Sequence, residues 1–595
     1  MAAGRRQGAA LAALAAALSV AAYVNALHNP FVYDDRGTVV QNPSLADLGN
    51  LHWILIYSPF RPLVNLSYAL DHRFWGLDPF GYHLTSLALH VLNVALFFGL
   101  AAALAGDRTA WGPGRREAAG REGGGRQGAG GRAEGGPSPL LAAFAAAALF
   151  AVHPLMTEAV GYASGRPEVL CGTFVLLAIW CAHRGMKEDS PWWLAAALVP
   201  LVLGLASREV AAMVPFFLLA ADRLLRLGSE AGRRRRLWRF HLPLILLVAA
   251  GGAWRLHSYL TAESRGLPRP VASHALTELV IFWRYLSLLL LPAAQSIVHP
   301  AQRIATPWHP ALLAAVAALA AAAAAGWALR RRYPLAVLAL LWLPLFLLPS
   351  SSLVPLFELM AEHRVYVASC GLFLLAGMGF ALLVAAAPGP GARALCFAAL
   401  AAVLAVLLAA TVRRNRVWSD PVSLWRDAAR KAPLTWAPSY ALGDALREQG
   451  DCAAAIPAYR RAMELLPQEP RAPLNLGICL AETRRYAEAR QAFEDALRAD
   501  PGSVQAEDNL GRLALLAGHP EEARQRFRQA LQWDARDLVG HLNLALLETR
   551  EGNPAAALRL CSEALAQHPE SSAAADCVRR SQARLGAAAA VGQVH

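Results

Sequence analysis

Apolar residues dominate the first two thirds of this chain in runs of up to about 25 positions, and a hydrocarbon core about 30 Å thick needs close to 20 such residues in a helix. Eleven spans are expected, at about 8–27, 84–106, 140–152, 169–183, 191–206, 210–222, 241–257, 309–329, 334–349, 366–386 and 395–411. A further apolar stretch, 275–293, carries Trp283, Arg284 and Tyr285 and reads as an interfacial or re-entrant helix. Polar segments between the runs alternate in character. Arg5, Arg6, Arg184, Lys187, Arg223, Arg226, Arg233 to Arg236, Arg330 to Arg332 and Arg393 fall on one side, which the positive-inside rule assigns to the cytoplasm. The Gly- and Arg-rich segment 107–139 cannot bury enough apolar surface to fold and reads as a flexible cytoplasmic loop.

From about residue 436 the period changes. Leu442-Gly443, Leu476-Gly477, Leu510-Gly511 and Leu544-Ala545 recur every 34 residues. Ala455, Ala489, Ala523 and Ala557 follow in register, then Tyr459, Phe493, Phe527 and Cys561, then Ala462, Ala496, Ala530 and Ala564. This is the tetratricopeptide signature of paired helices that stack into a superhelix with a concave groove. The expected fold is all-α, a polytopic membrane domain over 1–415, a linker over 416–435 and repeats over 436–469, 470–503, 504–537 and 538–571. Residues 572–595 read as a capping helix and tail, disordered from Ala587.

Composition supports this division. The chain is 56% hydrophobic and only 17% charged over 595 residues, where soluble domains carry about a quarter charged residues. Its net charge of +13 is almost wholly Arg, with Lys only at 187 and 431, and the basic residues sit in short loops. The excess is therefore topological, and no nucleic-acid partner is expected. The eight cysteines form no CxxC pair, which gives no support to a zinc or thioredoxin-type site and leaves room for a disulfide in the repeats. Asn65-Leu66-Ser67 matches a glycosylation acceptor.

Sorting polar residues by side gathers Asp34, Asp35, His83, His153, Glu158, Arg166, Glu168, Arg208, Glu209, Glu358, Glu362, Arg364 and Tyr366 on the non-cytoplasmic face. Ionisable residues near membrane depth are costly, and mixed acids and bases on one face point to a site. The chemistry that fits is sugar transfer from a polyprenyl phosphate. Asp34 or Asp35 would be the general base for an acceptor hydroxyl. Arg208 and Arg364 offer planar forks for a phosphate, while His83, His153, Glu158, Arg166, Glu209, Glu362 and Tyr366 complete the donor and substrate contacts. The adjacent aspartates could instead hold a divalent cation, and no metal ligand set follows from the sequence.

The strings Phe31-Val32-Tyr33-Asp34-Asp35, Arg61-Pro62-Leu63, Tyr82-His83-Leu84, His153-Pro154, Thr157-Glu158-Ala159-Val160, Gly165-Arg166 and Glu362-His363-Arg364-Val365-Tyr366 resemble, in this order, the motifs of the transmembrane-and-tetratricopeptide protein O-mannosyltransferases. That resemblance covers nearly the whole chain. It implies a GT-C type membrane domain, a dolichyl-phosphate mannose donor, Ser or Thr acceptors on proteins, and an essential acidic pair that maps onto Asp34 and Asp35. The Arg- and Ala-rich composition is similar to the bacterial relatives, which favours an inner membrane with the repeats periplasmic. In a eukaryote the membrane would be that of the endoplasmic reticulum, with the repeats lumenal and binding the protein acceptor. A non-catalytic membrane scaffold and a lipid transporter are the competing readings. The span count makes one direct demand: reporter fusions at Gly124 and after Gly586 are expected to report opposite sides of the membrane, and the same side for both overturns it.

Overall fold

The structure, a computed structural model, describes residues 2–107, 109–111, 136–258, 261, 271–300, 303–349 and 358–592. Most of the expected loop 107–139 and part of the loop 349–366 lie outside the described residues. The chain divides into two compact units, residues 1–424 and 425–595. Both are helical, and the described residues contain no strand.

In the first unit, six helices are long and apolar enough to cross a membrane: Gly4–Ala26, Pro79–Ala105, Ala163–Glu188, Glu230–Trp254, Pro310–Leu329 and Pro390–Val417. Two bent pairs raise this to eight, Pro139–Val152 with Pro154–Val160 at 53° and Glu362–Ala368 with Cys370–Ala386 at 56°. The remaining expected spans are shorter than expected. Pro191–Leu205, Val214–Leu225 and Pro334–Leu347 have only 12 to 15 residues, so at 1.5 Å per residue they reach about 18–23 Å, less than the hydrocarbon core. Proline opens many of these helices, at the position where its missing N–H costs nothing. The stretch expected at 275–293 is a 20-residue helix, Val271–Leu290, which buries Ile281, Tyr285, Leu288 and Leu289 and is not among the crossing helices.

Small residues let the central helices approach. Ala145 to Ala148 are fully buried, and a Cβ on Gly377 would lie 2.1 Å from the carbonyl oxygen of Ala142. The outer helices Glu230–Trp254, Pro310–Leu329 and Pro390–Val417 bury little of themselves against protein, so their apolar sides are left for lipid.

Contacts between distant residues define two ends of this unit. At one end Asp107 pairs with His183 and Lys187, and Arg236 lies buried between Asp222 and Asp189. The exposed arginines 223, 226, 234, 235 and 239 surround this end. At the other end gather the turns around Asp35, Glu158, Arg208 and Glu362.

The second unit pairs Trp436–Glu448 with Cys452–Leu465, Arg471–Glu482 with Tyr486–Ala499, Val504–Leu516 with Pro520–Trp533, and Leu538–Arg550 with Pro554–Gln567. The motif positions now have physical reasons. A Cβ on Gly443, Gly477 or Gly511 would lie 2.5–2.6 Å from the ring of Tyr459, Phe493 or Phe527. Only glycine leaves room for the ring, and where the fourth repeat has Ala545 the ring is replaced by Cys561. Cys561 is bonded to Cys577, and Cys452 to Cys479. The last helix, Ser572–Gly592, continues through the stretch expected to be a tail from Ala587.

Gly450, Gly518 and Gly552 end the first helix of three repeats in the left-handed region, with φ of +81°, +79° and +82°. The second repeat places Arg484 there at +61°. An L-residue in that conformation costs roughly 1 kcal/mol, so Arg484→Gly is expected to raise the unfolding free energy of the repeats by about 0.5–1 kcal/mol. Gly511→Ala is expected to lower it by about 1–3 kcal/mol by forcing the Phe527 ring aside. Hydrogen exchange of helices 504–533 and 471–499 in the two variants checks both signs.

Candidate functional site

The polar end of the membrane unit is built on the turn 31–38. Tyr33 adopts φ of +52°, an uncommon conformation for a side chain of this size, and its hydroxyl donates to Glu358 Oε1 at 2.8 Å. The twist turns the next two residues apart. Asp35 is fully buried. Its Oδ1 accepts from Ser164 N (2.7 Å) and Ser164 Oγ (2.6 Å), and its Oδ2 accepts from Val32 N (3.1 Å). Asp34 is exposed, with its backbone N–H donating to Tyr162 Oη at 3.0 Å. The pair therefore divides its work. Asp35 ties the turn 31–38 to the turn 162–166, and Asp34 is displayed.

Burial pushes Asp35 up to about 7, against three hydrogen bonds that favour its charge, with the Asp34 charge a smaller upward push. Partial burial also raises Asp34, opposed by the Tyr162 hydroxyl. Repulsion between the adjacent acids is thus secondary to loss of solvent at Asp35.

Gly165 makes the second turn. Any side chain there would strike the Glu158 carbonyl oxygen, 2.2 Å from the Cβ position. Glu158 is buried, accepts from Glu362 N at 2.9 Å, and bonds His363 Nδ1 at 2.6 Å. Glu362 in turn accepts from Ser296 N (2.7 Å) and Gln295 Nε2 (3.1 Å) and bonds His299 Nε2 (2.9 Å). These two carboxylates bind the chain around residues 295–299 and 361–363 together.

A third group is cationic. Leu63 N donates to Ala206 O at 3.2 Å, which brings the turn of Arg61 beside that of Arg208. Arg208 is buried and ion-pairs through Nε with Glu168 (3.0 Å) and Glu209 (3.7 Å). Burial, and after it the Arg208 charge, pull Arg61 below its ordinary value, opposed by Glu209 and Glu168. Arg364 lies across the Glu358 and Leu359 carbonyls, to which it donates at 2.9 and 3.2 Å. Two guanidiniums held together beside partly buried acids form a place where an anion would be stabilised.

Four residues expected in the site are used elsewhere. Arg166 is fully buried, pairs with Asp71 at 2.6 Å, donates to Tyr82 O at 2.7 Å and lies over the Tyr68 ring. Its charge is committed to the fold. His83 Nε2 meets Asn29 O at 3.0 Å. His153 caps a helix by accepting from Leu155 N, and its Nε2–H donates to Leu289 O at 3.1 Å. Tyr366 is fully buried and bonds His90 Nδ1 (2.8 Å) and Asn93 Nδ2 (3.0 Å). The glycosylation acceptor is also internal, since Asn65 is buried and donates to Ser44 Oγ and Ile54 O. Sequence reasoning passed over Tyr33, Tyr162, Ser164, Arg61, His299 and His363 as site residues. All but His299 lie within or next to the motif strings, which was the available signal. No group of three or more His, Cys, Asp or Glu among the described residues is arranged to hold a metal ion.

Two tetratricopeptide-repeat profiles match residues 440–504 and 514–577. The protein O-mannosyl-transferase TMTC1 of Homo sapiens is 25% identical over 553 residues, covering 80% of this chain and 58% of its own length. A protein O-mannosyl-transferase of Caenorhabditis elegans is 22% identical and covers 78% of this chain and 64% of its own. The chain is a homologue of these proteins. The protein O-mannosyl-transferase tmtc2 of Xenopus laevis is 31% identical over 202 residues, 31% of this chain and 20% of its own length. The chain thus spans about three fifths of the length of the Homo sapiens and Caenorhabditis elegans relatives. A solved thermophilic TPR protein of Thermus thermophilus is 21% identical and covers 31% of this chain and 96% of its own, with a TM-score of 0.24.

The Asp35 environment sets a pH dependence. Its folded value, about 7, is raised above the ordinary 3.8, so the stability it confers is complete below about pH 4 and is lost as pH rises through 7. The thermal midpoint of the full protein in detergent is expected to exceed that of Asp35→Asn by more at pH 5 than at pH 8. An equal gap at both values contradicts the burial argument.

Proposed function

We propose that this chain is an integral-membrane glycosyltransferase that moves a sugar, mannose in the first instance, from a polyprenyl or dolichyl phosphate to a Ser or Thr hydroxyl of a protein. The observation that carries this reading is the meeting of three turns at one end of the apolar bundle: a displayed acid, Asp34, and the cationic pair Arg61 and Arg208, with the Tyr33–Glu358 bond and the Arg364 contact to the Glu358 carbonyl linking the turns. The printed names of the relatives support the reaction class. The exposed arginines at the other end support a non-cytoplasmic position for the site. The two disulfides of the repeats support an oxidising compartment for that unit, a periplasm or a lumen.

In this mechanism the acceptor hydroxyl oxygen attacks the anomeric carbon as Asp34 takes its proton. The bond from that carbon to the phosphate oxygen breaks, and the lipid phosphate departs carrying the electron pair. Arg208, with Arg61 beside it, stabilises the growing phosphate charge. Asp35 holds Asp34 in place through Ser164 and Val32 and touches no reacting atom. The repeats hold the acceptor protein. A divalent cation remains an optional partner of Asp34.

The test is reconstitution in proteoliposomes with dolichyl-phosphate mannose and Ser/Thr peptides. Removing a general base costs about 10²–10⁴-fold, so Asp34→Asn is expected to lower kcat at least a hundredfold with acceptor KM little changed. Unaltered transfer by that variant removes Asp34 from the reaction. No transfer by the wild type with any polyprenyl-phosphate sugar favours the scaffold reading.

A further inference from the structure

At the end of the membrane unit away from the candidate site, the chain runs Arg233-Arg234-Arg235-Arg236-Leu237-Trp238-Arg239 into the helix Leu242–Ser258. The arginines of this run are not equivalent. Arg236 is buried, donates to Asp222 through Nε (3.1 Å) and a terminal nitrogen (2.7 Å), and pairs with Asp189. Arg233 donates to the carbonyls of Arg226 (3.3 Å) and Gly228 (3.0 Å). Leu237–His241 forms a π-helical turn, whose i→i+5 bonding brings positions five apart toward one side of the helix. His241 therefore joins Arg236 at Asp222, at 3.2 Å, and is buried with it. The inner side of this helix is fixed and its charge is answered.

Fixing the inner side fixes the outer one. Arg235 and Arg239 are exposed one turn apart, with Trp238 exposed between them. Leu246 and Leu247 are exposed further along the same helix. Glu230–Trp254 buries little of itself against protein, so this side is left for lipid. Neither Arg235 nor Arg239 forms an ion pair among the described residues, and the sequence has no acid between Glu230 and Glu263. The neighbouring acids are committed: Asp189 and Asp222 to Arg236, Asp107 to His183 and Lys187, and Glu188 to Arg184. Sidedness alone does not account for this arrangement, because the positive-inside rule counts Lys and Arg alike and is indifferent to the face of a helix. An indole at the start of a span marks headgroup depth, which sets the two guanidiniums level with lipid phosphates. Their planar forks match phosphate oxygens two at a time.

We propose that Arg235 and Arg239, on either side of Trp238, bind the phosphate of an anionic phospholipid whose chains lie along Leu246 and Leu247. Arg236 and His241 act as the key that holds this face outward. The site lies away from the acidic turns and does not depend on the glycosyltransferase reading.

The experiment titrates the full chain, in a neutral maltoside detergent, with phosphatidylglycerol carrying a fluorophore on one acyl chain, and with phosphatidylcholine labelled the same way. Each basic residue near an anionic lipid surface is worth about fivefold in affinity, so Arg235→Gln with Arg239→Gln is expected to weaken phosphatidylglycerol binding about 25-fold. Arg235→Lys with Arg239→Lys keeps the charge and the sidedness but loses the forks, and is expected to weaken it about 2–13-fold, the worth of one hydrogen bond. Arg223→Gln with Arg226→Gln removes the same charge from the same end, off this helix face, and is expected to cost less than the first pair. Neither Arg235 nor Arg239 bonds another element among the described residues, so the thermal midpoint without lipid is expected to be unchanged, which separates lost contact from lost fold. Equal affinity for the two lipids, or a Lys pair that binds as tightly as wild type, overturns the site. Equal loss in the Arg223 and Arg226 pair would show diffuse charge and overturns it too. Displacement of the lipid by soluble glycerol phosphate at matched concentration would overturn the lipid as occupant.

Discussion

A carboxylate taken wholly out of water must have its lone pairs answered, or it costs several kcal/mol. Asp35 meets that requirement with two donors from Ser164 and one from Val32. The two Ser164 bonds stitch loops that are 129 residues apart in the chain. Everything displayed at that end of the bundle depends on the stitch. Tyr33 must twist to deliver Asp35 inward, and the same twist leaves Asp34 outward. Gly165 must lack a side chain so that the receiving turn can close against Glu158. Adjacent acids thus serve opposite purposes, one as a bond between loops and one as a free reagent.

The unit spends its other buried charges in two ways. Arg166 and Arg236 are surrounded by acids and carbonyls, and each holds helices together at its own end. Arg208 is different. It pairs with Glu168 and Glu209 and lies beside another cation, Arg61. Two guanidiniums gathered with carboxylates at the polar end are suited to an anionic visitor.

The architecture was legible because its signals are periodic. A 34-residue register and long apolar runs survive any error in boundaries, and the helices follow them. Span length was less legible. Stretches 191–206 and 210–222 are apolar enough, but the helices are interrupted or begin late, around Ala197 and after Arg208, where the chain turns to build the polar end. The candidate site was half legible. Asp34, Asp35, Arg208 and Arg364 could be named because charge is rare in that region. His153, Arg166 and Tyr366 look the same in one dimension, and only three-dimensional neighbours show that their polar atoms are already engaged. Ser164 and Tyr162 carry no charge and no periodicity, so nothing marked them apart from proximity to a motif.

The ring-and-glycine fit of the repeats limits how such an array can vary. Gly511 and Phe527 share one volume between them, so drift at either position is gated by the other, and the two letters behave as a single character of the sequence. The fourth repeat shows the permitted exchange. With the ring gone, a methyl enters at Ala545, and the sulfur of Cys561 comes within reach of the closing helix. Loss of an aromatic filler at the margin of the stack is thereby converted into a covalent fastening of its end.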